Sequence, residues 1–233
     1  MGILLISIIK MNELVVKQTA DGTSTIYNAE LDENYHSVHG ALQESVHVFI
    51  KNGLNKLFNE NKNKNQFNIL EVGFGTGLNC YLSLQEGKIN SKFLNYVGVE
   101  SMPLKFEIIN QLDYNLTKNQ KLDFNNLHYS NWNEATNISP NFTLTKEKIE
   151  FQKFETKQKF DLIYFDAFGP RVEKVLWHID IYRKLFMLLN KNSILVTYCA
   201  KGQVRRDLAS VGFDVDRLPG PPGKREMIRA KKH

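Results

Sequence analysis

The chain has 233 residues, 42% of them hydrophobic, enough for one α/β domain with a sizeable core. Its net charge of +5 suits an acidic partner, nucleic acid first among them, or simply marks a basic surface. Cys80 and Cys199 lie in apolar segments without a C-x-x-C neighbour, which speaks against a disulfide framework or zinc site and for a reducing cytoplasm.

Residues 2–9 are apolar but far shorter than the roughly 20 residues of a membrane span, and they lack the marks of a signal peptide. Residues 1–10 therefore read as an optional extension, and 11–233 as a single domain with no membrane segment. Leu14–Lys17 and Ser24–Tyr27 flank an Asp21-Gly22 turn and predict a hairpin. Ala41–Phe58 carries helical periodicity through Leu42, Val46, Phe49, Ile50, Leu54 and Leu57. A polar Asn/Lys connector over 59–66 precedes an alternation of strands and helices.

Strands are expected at Phe67–Val72, Tyr96–Glu100, around His128–Trp132, at Phe160–Phe165 and at Ser193–Cys199. Helices are expected from Leu78, over Pro103–Leu112, Tyr182–Leu189 and Val204–Ser210. An inserted β-hairpin is expected near 142–154, turning at Lys146–Lys148. Phe213–Leu218 and Glu226–Arg229 are too close for a helical crossover, so they pair antiparallel. This pattern describes a Rossmann-like, mostly parallel seven-stranded sheet with an antiparallel last strand, as in class I methyltransferases.

Glu71-Val72-Gly73-Phe74-Gly75-Thr76-Gly77-Leu78-Asn79 joins the first of these strands to its helix. Glycines in such a turn let backbone approach a nucleotide-like ligand. The spacing G-x-G-x-G differs from the dinucleotide fingerprint, and Glu71 would repel a pyrophosphate. An acid there suits an amino group and a sulfonium, which points to S-adenosylmethionine. Glu100 follows Gly75 by 25 residues at the next strand end, where a carboxylate accepts from ribose hydroxyls or simply faces solvent. Asn131 and Trp132 end the third expected strand; Asn131 is a candidate reader of adenine, and Trp132 a cofactor contact or a core aromatic.

Asp166, with Ala167 and Phe168, follows the fourth strand, where a carboxylate suits an amine acceptor. An alkylammonium must lose a proton before it attacks a methyl group, and Asp166 either accepts that proton, holds the neutral amine in line, or serves as a turn residue. Arg205, Arg206, Lys224 and Arg225 are candidates for RNA phosphates or solvated surface. His36, His39 and His47 show no metal-ligand spacing, and no metal is assigned.

These motifs resemble the methyltransferase domain of MnmC-type tRNA-modifying proteins, as in relatives that lack the fused oxidase. The resemblance rests on Glu71–Asn79, Asp166-Ala167-Phe168 with Pro170 and Trp177, Val204-Arg205-Arg206 and Lys224-Arg225-Glu226-Met227. It also takes in Tyr35-His36-Ser37, Glu44 and His47-Val48-Phe49. It implies methyl transfer from S-adenosylmethionine to the exocyclic amine of 5-aminomethyl-(2-thio)uridine at the tRNA wobble position, with the anticodon stem-loop as partner. Separate enzymes would supply the earlier modification. By carry-over, Gly73, Phe74, Gly75, Thr76, Gly77, Leu78, Asn79 and Glu100 hold the cofactor, Asp166 lies at the reacting centre, and Phe168 packs on the flipped base. Arg171–Trp177 departs from the usual Asn-Pro pattern, and Asn131 stands where Asp is common. Two other readings compete: an aminopropyltransferase of the spermidine-synthase type, and a non-catalytic RNA-binding module.

Overall fold

The computed structural model describes residues 14–233, so the expected extension over 1–10 lies outside the described residues. The N-terminal hairpin forms as β1 (Leu14–Gln18) and β2 (Ser24–Asn28), and the short β3 (Glu33–Asn34) adds to β2. The expected long helix is built from α1 (Ala41–Ser45), a π-helical stretch Val46–Leu54 and α2 (Asn55–Glu60). It lies tightly on the central sheet. A Cβ on Gly53 would sit 3.1 Å from Val196 Cγ2 and 3.3 Å from Tyr164 Cε1.

The rest of the chain runs β4 (Gln66–Val72), α3 (Leu78–Ile89), β5 (Phe93–Glu100), α4 (Phe106–Ile109), α5 (Lys118–Tyr129), β6 (Ala135–Ser139) and β7 (Phe142–Lys148). It continues with β8 (Phe160–Phe165), α6 (Ile179–Leu188), β9 (Leu189–Thr197), α7 (Gly202–Val211), β10 (Asp214–Pro219) and β11 (Glu226–Lys232). The main sheet has eight strands in the order β10-β11-β9-β8-β4-β5-β7-β6. β7, β5, β4, β8 and β9 are parallel, while β11 joins β9 antiparallel as expected. Every residue of β8 is buried, because helices cover both faces of a parallel sheet.

From β4 the chain builds outward first through β5 and β7, then on the other side through β8 and β9. That reversal opens a crevice at the carboxyl ends of β4, β5 and β8.

Three expected elements are corrected. Residues 128–132 are not a strand: α5 runs to Tyr129, after a capping box in which Thr117 and Gln120 satisfy each other's backbone N–H groups. The third parallel strand is β7, and Lys146 lies inside it rather than in a turn. Its side chain is buried, and its Nζ donates to the His128 carbonyl (2.8 Å) beside the Trp132 ring. Burial lowers its pKa to about 8. The hairpin partner of β7 is β6, on its N-terminal side, and makes the eighth strand. Ile149–Phe154 is not a strand, but a connection with a 3₁₀ turn at Phe151–Lys153. The helix expected over Pro103–Leu112 shortens to α4.

Gly98, in mid β5, leaves room for the Phe74 ring of the glycine turn, with which a Cβ there would collide. Gly98→Ala is expected to lower unfolding stability by about 1–3 kcal/mol through overpacking, read as a shifted denaturation midpoint with an unchanged m-value.

Candidate active site

A cleft of about 850 Å³ occupies the crevice. Its floor is the β4–α3 turn. Gly73 adopts φ 90°, and a Cβ on it would meet the Asp166 carbonyl at 2.5 Å, so β4 and β8 approach here as only glycine permits. Gly75 donates to Glu100 Oε2 (3.0 Å), and Met102 N–H donates to Oε1 (2.9 Å), which locks the Glu100 carboxylate at the end of β5. Gly77 does not line the cleft; it starts α3 with its Cα against the His128 ring.

Two neutral histidines brace the turn. His36 Nε2 and Thr76 Oγ share a 2.7 Å hydrogen bond, and His128 Nε2 donates to the Thr76 carbonyl (3.1 Å). Burial holds their pKa values down, to about 4 for His36 and about 3 for His128.

Glu71 does not face the ligand space, contrary to the role expected for it. It is fully buried behind the cleft, accepting from Tyr96 OH (2.8 Å) and Asn79 Nδ2 (2.9 Å). Burial pushes its pKa up to about 8. The same Asn79 Nδ2 donates to Asp166 Oδ2 (2.8 Å), whose carboxyl is also pushed well above the usual range, first by burial and then by Glu71. Glu71 is the enclosed member of this pair, and Asp166 opens on the cleft.

Phe168 also lines the cleft, with its ring edge-to-face on Tyr35 at 4.9 Å. Gly73, Phe74, Gly75, Thr76, Leu78, Asn79, Glu100 and Asp166 all reach the wall. Asn131 does not: it is exposed and donates to Glu134. Trp132 packs on Phe74 at 5.9 Å, outside the cleft. The strand end that does reach the wall on that side is β7, through Ile149 to Gln152. Displacing the third strand by about a dozen residues misplaced this contact.

Arg205, Arg206 and Arg225 are exposed and stand off the cleft, with Arg206 donating to Gln203. Lys224 is corrected from a surface phosphate contact. It enters the cleft, pairs with the buried Glu44 and lies 3.9 Å from the centre of the Tyr198 ring. Tyr35, Glu44, Glu173 and Tyr198 were missed as site residues. For the first two the signal was present in motifs that had been noted without a role.

A family model described as S-adenosyl-L-methionine-dependent methyltransferase matches residues 109–233. The chain belongs to that family. The match sets aside the aminopropyltransferase and binding-module readings. Among curated proteins, this methyltransferase is 30% identical over 223 residues to the tRNA 5-methylaminomethyl-2-thiouridine biosynthesis bifunctional protein MnmC of Cupriavidus metallidurans, covering 91% of this chain and 33% of that protein. It is 30% identical to the protein of the same name from Hydrogenovibrio crunogenus, covering 88% and 32%. The chain thus spans about a third of the length of these relatives. The crystal structure of MNMC2 from Aquifex aeolicus superposes with TM-score 0.79 at 23% identity, covering 94% of this chain and 70% of that one, which establishes a shared fold. Among the described residues no helix is long and apolar enough to cross a membrane.

S-adenosylmethionine is the methyl donor of the family. The cleft fits it: Gly73, Gly75 and Asn79 line its wall, and Asn79 Oδ1 is buried without a hydrogen-bond partner among the described residues.

The raised pKa of Glu71 carries a sign. The fold favours its protonated form, so its stabilising contribution is complete below the ordinary pKa of 4.5 and is lost as pH rises toward about 8. Glu71→Gln is therefore expected to flatten the pH dependence. Thermal melts between pH 5 and 8 should show the wild type losing on the order of a few kcal/mol that the variant keeps.

Proposed function

We propose that this methyltransferase moves a methyl group from S-adenosylmethionine to the exocyclic amine of 5-aminomethyl-(2-thio)uridine at the wobble position of tRNA. The observation that carries the reading is Asp166: a carboxylate of raised basicity, held by Asn79 and open to the cleft. The names of the curated relatives supply the substrate class.

Gly73, Gly75, Asn79 and Glu100 would hold the donor, with Glu100 toward ribose hydroxyls and Asn79 Oδ1 toward an ammonium group. Bound there, the donor supplies an electrophilic methyl carbon on a sulfonium. Asp166 attracts the substrate ammonium and accepts a proton from it, which frees the nitrogen lone pair to form the new N–C bond as the C–S bond breaks. Its raised pKa makes it a better proton acceptor than an ordinary aspartate. Phe168 and Tyr35 offer an aromatic wall for a base that has left its stack.

Acidic side chains outnumber basic ones on the cleft wall, with Glu33, Glu44, Glu100, Asp166 and Glu173 among them, although the whole chain carries +5. A cationic arm is drawn in and phosphates are kept out. Arg205, Arg206 and Arg225 on the outer surface suit the backbone of an anticodon stem-loop.

The protein, incubated with labelled S-adenosylmethionine and a stem-loop bearing 5-aminomethyl-2-thiouridine, should yield 5-methylaminomethyl-2-thiouridine by nucleoside mass spectrometry. No product at saturating donor would refute the assignment. Asp166→Ala should keep donor affinity within about threefold and lower turnover by about 10²–10⁴, the usual worth of a positioned proton acceptor. A fully active variant would remove Asp166 from the chemistry.

A further inference from the structure

The acceptor end of the cleft holds a cation to which the chemistry above gives no task. We propose that Lys224 is a specificity-determining residue, whose ammonium donates to the ring carbonyl beside the aminomethyl arm while Asp166 takes the amine. This rests on the amine-methylation reading above.

Lys224 is fixed where it stands. Its Nζ donates to Glu44, which also accepts the Ser37 backbone N–H (2.8 Å), so the β10–β11 connection, α1 and the segment after β3 meet at one buried carboxylate. Tyr198 lies beneath the ammonium and is itself pinned by donating its hydroxyl hydrogen to the Ala167 carbonyl (2.9 Å), one residue beyond Asp166. The Lys224 charge lowers the Asp166 pKa, against the larger opposing effects of burial, Glu71 and Glu44.

An ammonium has three N–H groups, and Glu44 is the one hydrogen-bond acceptor they meet among the described residues. Lys224 lines the cleft, so donor capacity remains for a ligand there. A phosphate is a poor candidate for it: Glu44 already neutralises the charge, and neighbouring carboxylates repel an anion.

The acceptor base offers a matching pair. In a 5-aminomethyluracil the arm stands next to the C4 carbonyl, so an amine nitrogen and a carbonyl oxygen face the same side. A carboxylate beside an ammonium complements that pair. The corresponding cytosine carries an amino donor at C4 and would set N–H against N–H.

The test compares two stem-loops, one bearing 5-aminomethyluridine and the other 5-aminomethylcytidine, with wild type, Lys224→Met and Lys224→Gln. Wild type should favour uridine in kcat/KM by about 10²-fold or more, as sites built around a hydrogen bond do. Lys224→Met should lose most activity on uridine and bring the ratio toward about 1, with donor affinity by calorimetry unchanged. Lys224→Gln, which can both donate and accept, should narrow the ratio as well, and it carries the comparison should the methionine variant not fold. A merely structural defect would lower both substrates alike and leave the ratio intact, which would overturn the assignment of Lys224. So would a wild type that methylates both bases equally, and in that case the amine-methylation reading stands. A wild type that methylates neither base defeats both.

Discussion

One side-chain amide ties two acids together behind the cleft. Asn79 donates from the same nitrogen to Glu71 on β4 and to Asp166 beyond β8, and so spans the two central strands at the point where the sheet reverses. Burial raises the pKa of both carboxyls. Glu71 is enclosed, while Asp166 turns its carboxyl to the cleft. The backbone obeys the same geometry, since the approach of Gly73 to the Asp166 carbonyl leaves no space for a Cβ. Strand order, glycine turn and the Asp166 carboxyl are thus one constraint seen at three scales.

Much of this was legible in the residues. The β4 run, the glycines after it, Glu100 at the next strand end and Asp166 at the fourth were found because strand periodicity and turn chemistry are local properties. The final antiparallel pair was legible for the same reason: its connection is too short for anything else. What failed was the stretch from 101 to 154. There a Lys-Glu-Lys run read as the turn of a hairpin, yet it holds a buried lysine satisfied by a carbonyl from a helix 18 residues away. No local rule reports such a partner. The Thr117 and Gln120 capping box was the available sign that a helix, not a strand, led to Trp132.

The site shows the same division. Residue types on strand ends pointed to function, but orientation did not follow from type. Glu71 has the chemistry to meet a sulfonium and points the other way. Lys224 has the chemistry to meet a phosphate and points inward, because Glu44, 180 positions earlier, draws it there. Charge read along a chain says little about where the charge is aimed.

That separation has a consequence for how the cleft comes into being. Contacts between distant parts of a chain form late, because closing the long loop between them is entropically costly. The β4–α3 turn leans on His36, on His128 and on the Asp166 carbonyl, all of which precede the last hairpin in the chain. The acceptor side needs the segment around Ser37, the start of α1 and the β10–β11 connection at the same moment. During synthesis every group that braces the turn therefore emerges before Lys224, and the last hairpin is the piece that completes the cleft.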